Sequence, residues 1–286
     1  VTQERRAAVI GGGIVGSTIA WRLAQRGWRV TLFEKGRLGT EASWAAAGML
    51  APGGELDHTA QAAQIELFLE SRRGYAAFVE ELTRETGVAI DYLECGAIDV
   101  AYSDEEWGEL VRRTDRQRPF GIVSRVLTAD QIRTISPHIE TDQLKGALFY
   151  PGEAVVAPRD MMAALRVACE KRGVEIREQS AVANVDTKAS GVQVQGEPFA
   201  AAVVAAGAWS GAITVDGAAL LPGSEPVKGH LIGFELPIGA CPTIVRHEET
   251  YLFQRGSGMV VAGASVEHVG FDRAIDERVS ERLMAR

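Results

Sequence analysis

Val9-Ile10-Gly11-Gly12-Gly13-Ile14-Val15-Gly16 decides the fold class, because the residues around it match the chemistry it suggests. An apolar strand, Ala7 to Gly11, runs into an amphipathic helix from Ile14 to Arg26, and a second strand, Arg29 to Phe33, ends in Glu34. Each glycine has a task in such a turn. Gly11 permits the tight strand-to-helix turn, Gly13 lets backbone approach a pyrophosphate, and Gly16 lets helix and strand pack closely. The helix N-terminus then offers unpaired N–H groups and a positive dipole end to the phosphates. Glu34, eighteen residues beyond Gly16, is placed to accept hydrogen bonds from an adenosine ribose, and an acid there disfavours a 2′-phosphate. A glycine-rich turn in some other α/β protein is the competing reading. Strand, helix, second strand and acid in register favour dinucleotide binding.

Arg5-Arg6 ahead of Ala7 to Trp21 has the outline of a secretory signal. The spaced glycines, the polar Ser17-Thr18 pair and the strand that follows argue against it. No segment reaches the roughly twenty consecutive apolar residues of a membrane span. The nearest, Phe199 to Ile213, is broken by Gly207, Ser210 and Gly211. A soluble, cytoplasmic chain is expected.

Size and charge narrow the classes further. The 286 residues, 46% hydrophobic and 24% charged, suffice for a large core and for two domains. A net charge of −8 gives no pull toward nucleic acid or anionic lipid. Cys95, Cys169 and Cys241 are far apart and odd in number, and no Cys/His spacing suggests zinc. The five histidines do not cluster in sequence, so no metal site is expected.

Beyond Glu34 the chain enters a stretch of small residues, Gly36 to Glu55, and then a long helix, Gln61 to Thr86, closed by Gly87. Its apolar stripe is Ile65, Phe68, Tyr75, Val79 and Leu82. Short strands and helices follow: a strand at Ala97 to Tyr102 and helix starts at Ser103 and Thr128. Pro158 opens another helix, with Met162, Leu165 and Cys169 on its buried side and Gly173 at its end. Strands are then expected at Val174 to Arg177, Val182 to Asp186 and Gly191 to Gln195, and at Ala201 to Ala205, the last buried on both faces. The final third reads as an antiparallel sheet: Val227 to Glu235, Thr243 to Val245, Tyr251 to Gln254 and Met259 to Ala262. The expected fold is α/β, α+β overall. A discontinuous Rossmann-like dinucleotide-binding domain (1–85 and 145–215) is interleaved with an antiparallel-sheet substrate domain (86–144 and 216–286).

A Rossmann start alone leaves NAD and FAD open. From Thr40 to Pro52, alanine, serine and glycine stand where backbone would lie flush against something large and flat, which favours FAD; a tightly packed small-residue helix would share that composition. At this point the sequence resembles a known family. The glycine turn, Phe33-Glu34, Ser43-Trp44-Ala45-Ala46-Ala47-Gly48-Met49-Leu50-Ala51-Pro52, Ala205-Ala206-Gly207-Ala208-Trp209-Ser210 and Pro226-Val227-Lys228-Gly229 are similar to the D-amino-acid oxidase superfamily. Its glycine oxidase branch, which serves thiazole formation in thiamine biosynthesis, is the nearest likeness, and it runs from Val9 to about Phe271.

The resemblance implies a non-covalently bound FAD. Gly11, Gly13, Ile14, Val15 and Gly16 would hold the pyrophosphate, with Glu34 and Lys35 at the adenosine ribose. Ala42 and Ser43, with Ala47, Gly48 and Met49, would line the pyrophosphate and isoalloxazine; Val182 would meet the adenine through its backbone, and Gly207 belongs to a matching motif. Tyr251 would stand over the substrate, although an ordinary strand aromatic is the alternative. No catalytic acid or base is identified, consistent with a hydride passing from the substrate Cα to flavin N5.

Dioxygen as acceptor, hydrogen peroxide as product and a homotetramer are further implications. The alternatives are a D-amino-acid or sarcosine oxidase, a related dehydrogenase, or an inactive flavin-binding fragment. The family pattern continues past Arg286 to a substrate-clamping arginine and a flavin-covering loop. The amphipathic Asp276 to Arg286 is therefore expected to leave its apolar face (Ile275, Val279, Leu283) uncovered.

Overall fold

A computed structural model describes residues 5–56 and 61–285. The chain divides into two compact units. The first holds the residues up to Ala46 together with Glu80–Ile90 and Pro158–Pro226; the second holds Ala47–Val79, Asp91–Ala157 and Val227–Arg286. Arg286, the last residue of the expected C-terminal helix, lies outside the described residues.

The first unit is built on strand β1 (Arg6–Ile10), helix α1 (Ile14–Gln25) and strand β2 (Arg29–Phe33). Four parallel strands form its sheet in the order Ala201–Val204, β1, β2, Glu175–Arg177. Alternation along β1 sorts its side chains. Ala8 and Ile10 join Phe33 in a core with Val185, Val194, Phe199 and Ile213. Phe33 meets Phe199 edge-on, ring centroids 6.1 Å apart. The second half of that core comes from a small sheet of Asn184–Lys188, Gly191–Val194, Glu197–Phe199 and Thr214–Val215. Burying one such phenylalanine is worth about 2–3 kcal/mol.

Helix Pro158–Lys171 packs along α1. Met162, Leu165 and Cys169 form its buried side as the spacing predicts, and burial pushes the Cys169 thiol up to about 12, an inert core group. Ala201–Val204 departs from expectation. It is half-buried, because it forms the sheet edge with β1 on one side only. Val182 also precedes its expected strand, which begins at Asn184.

In the second unit a seven-stranded sheet runs in the order Leu231–Glu235, Met259–Gly263, Thr250–Gln254, Ile244–His247, Ala97–Ala101, Gly146–Tyr150, Arg125–Val126. It is antiparallel except where Ile244–His247 runs parallel to Ala97–Ala101. A smaller sheet joins Met49–Leu50, Ala154–Val156 and Tyr92–Leu93. Helix Ala129–Ile135 opens with a full capping box between Thr128 and Gln131, and Ser103 accepts the Glu106 N–H to cap Asp104–Gln117. Helix Glu277–Ala285 corrects a second expectation: Val279 is buried and Leu283 half-buried, while Ile275 and Met284 are exposed. Among the described residues no helix is long and apolar enough to cross a membrane.

The long helix Ala62–Thr86 ends against the first unit's core in a polar clamp. The Glu85 carboxylate accepts hydrogen bonds from Arg172 Nε (2.7 Å) and Nη2 (2.8 Å) and from the Trp21 indole (2.9 Å). Lys171 Nζ donates to the Glu85 and Thr86 carbonyls, groups that the helix end leaves unpaired. Arg172 first, with Trp21 and Gln25, holds the Glu85 carboxyl at about 2, against an ordinary value of 4.5. A depressed carboxylate stabilises the fold above its unfolded pKa, and that contribution is lost as pH falls through the folded value. Glu85→Gln should therefore lower stability by about 2 kcal/mol at neutral pH. In urea titrations the gap from the wild-type protein should begin to close below pH 4.5 and vanish near pH 2. A constant gap across that range would show that the charge plays no part.

Candidate dinucleotide site

Two glycines of the turn are required by backbone crowding. Gly11 has φ +108°, and a Cβ there would lie inside contact distance of the Ala205 carbonyl oxygen. At Gly16 a Cβ would overlap the Gly11 carbonyl oxygen, so α1 crosses β1 with backbone against backbone. Gly13 differs. It is the extended N-cap of α1 (φ −75°), and an added Cβ would meet only the Ser43 hydroxyl, 3.1 Å away. No side chain of Gly13 caps the helix, and no acid sits in its first turn to offset the dipole. Ser43 Oγ accepts the Ile14 N–H at 2.9 Å, and Val15 is 59% exposed beside it. The turn sets a helix N-terminus, a bare glycine and one hydroxyl side by side, the parts from which an anion site is built.

Glu34 closes the turn. Its carboxylate is buried and accepts the Gly12 N–H at 2.7 Å through Oε2 and the Gly36 N–H at 2.7 Å through Oε1. Two lone-pair directions remain for a ribose. The backbone of Glu34 donates to the Arg177 carbonyl (2.9 Å) and accepts the Ser180 N–H (2.8 Å). This holds the segment 178–183, with Val182 on the core's margin, beside the tip of β2. The Leu38 N–H, together with Arg166, keeps the neighbouring Glu178 carboxyl below its ordinary range.

Lys35 stands over the Trp209 ring, Nζ 3.1 Å from its centroid, and 3.9 Å from Glu41 Oε1. Trp209 belongs to the 3₁₀ turn Gly207–Ala212, which Gly207 enters at φ +54°. Ala42 and Ser43 form the short helix Ala42–Ala45. The first unit thus gathers Gly11 to Gly16, Glu34, Lys35, Ala42, Ser43, Val182 and Gly207.

Ala47, Gly48, Met49 and Tyr251 belong to the second unit. Gly48, at φ +85°, turns the chain into Met49–Leu50, and its carbonyl accepts the Val156 N–H at 2.9 Å. Arg255 fixes the same strip. Its Nη2 donates to the Ala47 carbonyl (2.6 Å) and its Nη1 to the Val156 carbonyl (2.9 Å). Sequence reasoning missed Arg255, since nothing in its neighbourhood separates it from a surface arginine. Tyr251 is half-buried, stacked on Phe253 at 6.3 Å, with its hydroxyl beside Gly263. The sequence also gave no sign that Glu106, His247 and Glu248 converge. Glu106 is committed there to the Tyr102 N–H (2.8 Å) and the Ser103 hydroxyl (2.9 Å), as a helix cap requires.

Comparison with known proteins gives a family and several relatives of similar length of match. The family model described as FAD dependent oxidoreductase matches residues 6–286. Glycine oxidase of Geobacillus kaustophilus is 32% identical over 280 residues, covering 96% of this chain and 74% of the relative. The bifunctional protein ThiO/ThiG of Synechocystis is 30% identical over 91% of the chain and 38% of its own length. The crystal structure of the Geobacillus kaustophilus glycine oxidase superposes with a TM-score of 0.89 at 31% identity, over 99% of this chain and 77% of that one.

The crowding separates two substitutions. Gly16→Ala gains a little helix propensity, but its methyl overlaps a carbonyl; it should lose roughly 3 kcal/mol and unfold at lower urea. Gly13→Val should keep the unfolding free energy within about 1 kcal/mol of wild type while it blocks dinucleotide binding. Equal loss of stability in both variants would mean that Gly13 is a packing residue.

Proposed function

The chain belongs to the FAD-dependent oxidoreductase family, and from that premise we propose that it oxidatively deaminates glycine or a similarly small amine. The residues present fit the cofactor: a helix N-terminus without acids in its first turn, a bare Gly13 facing the Ser43 hydroxyl and a buried acid at the tip of β2. Gly11, Gly13, Ile14, Val15 and Gly16 hold the pyrophosphate, with Ser43 and Ala42 on its far side. Glu34 and Lys35 orient the ribose, and Val182 and Gly207 border the adenosine. Ala47, Gly48 and Met49 line the isoalloxazine. That strip contains no cysteine or histidine, which supports non-covalent binding.

Bound FAD supplies the two-electron acceptor for the Cα–H bond of the amine. The chain's part is placement. Arg255 fixes the strip through the Ala47 and Val156 carbonyls, and Tyr251 confines the substrate. Glycine, dioxygen and water would yield glyoxylate, ammonia and hydrogen peroxide. The likeness to glycine oxidases over nearly the whole chain is the observation that carries the substrate. The likeness to a ThiO/ThiG protein favours a role in thiazole formation. Three free cysteines, one of them buried, suit a reducing compartment such as the cytoplasm. A homotetramer belongs to the same reading.

The purified protein should be yellow and release its flavin into the supernatant on acid precipitation. In an oxygen electrode, glycine should drive oxygen uptake with equimolar hydrogen peroxide. Faster uptake with D-alanine or sarcosine would reassign the substrate. Flavin-loaded protein that consumes no oxygen with any of the three would overturn the oxidase reading.

A further inference from the structure

A cluster of buried charges lies under the helix Pro52–Glu55, three residues beyond the strip Ala47–Met49. Arg246, buried on strand Ile244–His247, donates from Nε to Asp99 Oδ1 and from Nη1 to Glu153 Oε2, each at 2.5 Å. Arg113 pairs with the other oxygen of Asp99. The other oxygen of Glu153 accepts the Gly54 N–H at 3.0 Å, and Gln117 Nε2 donates to the Gly53 carbonyl at 2.7 Å. The turn rests flat on this cluster. A Cβ on Gly54 would fall on the Arg246 guanidinium, and one on Gly53 would lie 2.5 Å from the Tyr150 ring. Glu153 also leads into Ala154–Val156, the strand that pairs with Met49–Leu50.

Stability is a poor reason for such a cluster. Removing charges from water offsets most of what pairing them returns, and apolar residues of the same volume usually serve a core better. Among the described residues, Arg246 Nη2, Arg113 Nε, Gln117 Oε1 and Tyr150 Oη are, in addition, buried with no hydrogen-bond partner, and such groups add nothing to stability. What the cluster does supply is direction. Asp99 holds the Arg246 guanidinium through Nε, and Nη1 then fixes the Glu153 carboxylate, which grips the Gly54 backbone and leads into the sheet strand.

We propose that Arg246 is a positioning residue for the flavin-facing strip, acting through Glu153 on Gly54 and on the strand paired with Met49. This rests on the reading that Ala47–Met49 line the isoalloxazine. In FAD-loaded protein, Arg246→Met should speed amide hydrogen exchange at Gly54 and Leu56 more than tenfold. It should weaken FAD binding about tenfold, or ~1.4 kcal/mol, and shift the flavin absorbance bands. Arg246→Lys should restore part of each. A purely structural role would lower the melting temperature and leave the spectrum and the FAD affinity of the folded protein unchanged; that result overturns the proposal.

If Arg246→Met does not fold, Glu153→Gln, which keeps the shape, decides by the same readouts, and wild-type exchange and spectrum there overturn the proposal. Exchange at 47–49 in the wild-type protein, with and without FAD, tests the underlying reading separately. Protection by FAD there, with an unaltered spectrum in the variants, would sink the positioning role alone.

Discussion

One hydrogen bond organises the nucleotide unit: the Gly12 N–H donated to Glu34 Oε2 at 2.7 Å. It is buried and charge-assisted, the strong kind, and it ties the glycine turn to the tip of the neighbouring strand. The same carboxylate holds the Gly36 N–H, and the Glu34 backbone holds Arg177 and Ser180. Three segments distant in sequence, around Gly12, Glu34 and Arg177–Ser180, therefore meet at one residue. Glu34 is the turn's internal brace, so the carboxylate proposed for the ribose is held in place before any ligand arrives. That is pre-organisation, which spares binding the cost of ordering the site.

The first βαβ segment was legible in the sequence because its constraints are local. Gly11 and Gly16 carry no side chain because the backbone of Ala205 and of Gly11 itself stands where a Cβ would be; Phe33-Glu34 follows at the spacing that the fold imposes. Pro158, Thr128 and Ser103 marked helix starts for equally local reasons. Ala201–Val204 was read as buried on both faces because four apolar residues look alike at the edge and at the centre of a sheet. The cover over Val279 comes from a strand far away in sequence, which periodicity does not register.

The candidate site divides along the same line. The phosphate turn and the small-residue strip announce themselves through composition. Arg255 and Arg246 do not, since the chain carries 30 lysines and arginines and a buried one has no local signature. Their roles arise from the mixed sheet, which sets Ile244–His247 parallel to Ala97–Ala101 and so puts Arg246 opposite Asp99. The second unit thus adds buried charge pairs to its apolar cores, where the first adds glycine crowding and the buried Glu34 carboxylate.

The register of the parallel sheet also sets a timetable. Ala7 lies opposite Val30 on one side and opposite Ala201 on the other. A ribosome adding about 5–20 residues each second reaches Ala201 some tens of seconds after it has made Ala7. Throughout that interval one edge of β1 presents unpaired N–H and C=O groups beside an apolar surface, a template for pairing with any other nascent strand. β1 is thus made well before the strand that closes its second edge. The turn that β1 carries can take its final shape against Ala205 only once that later segment has been made.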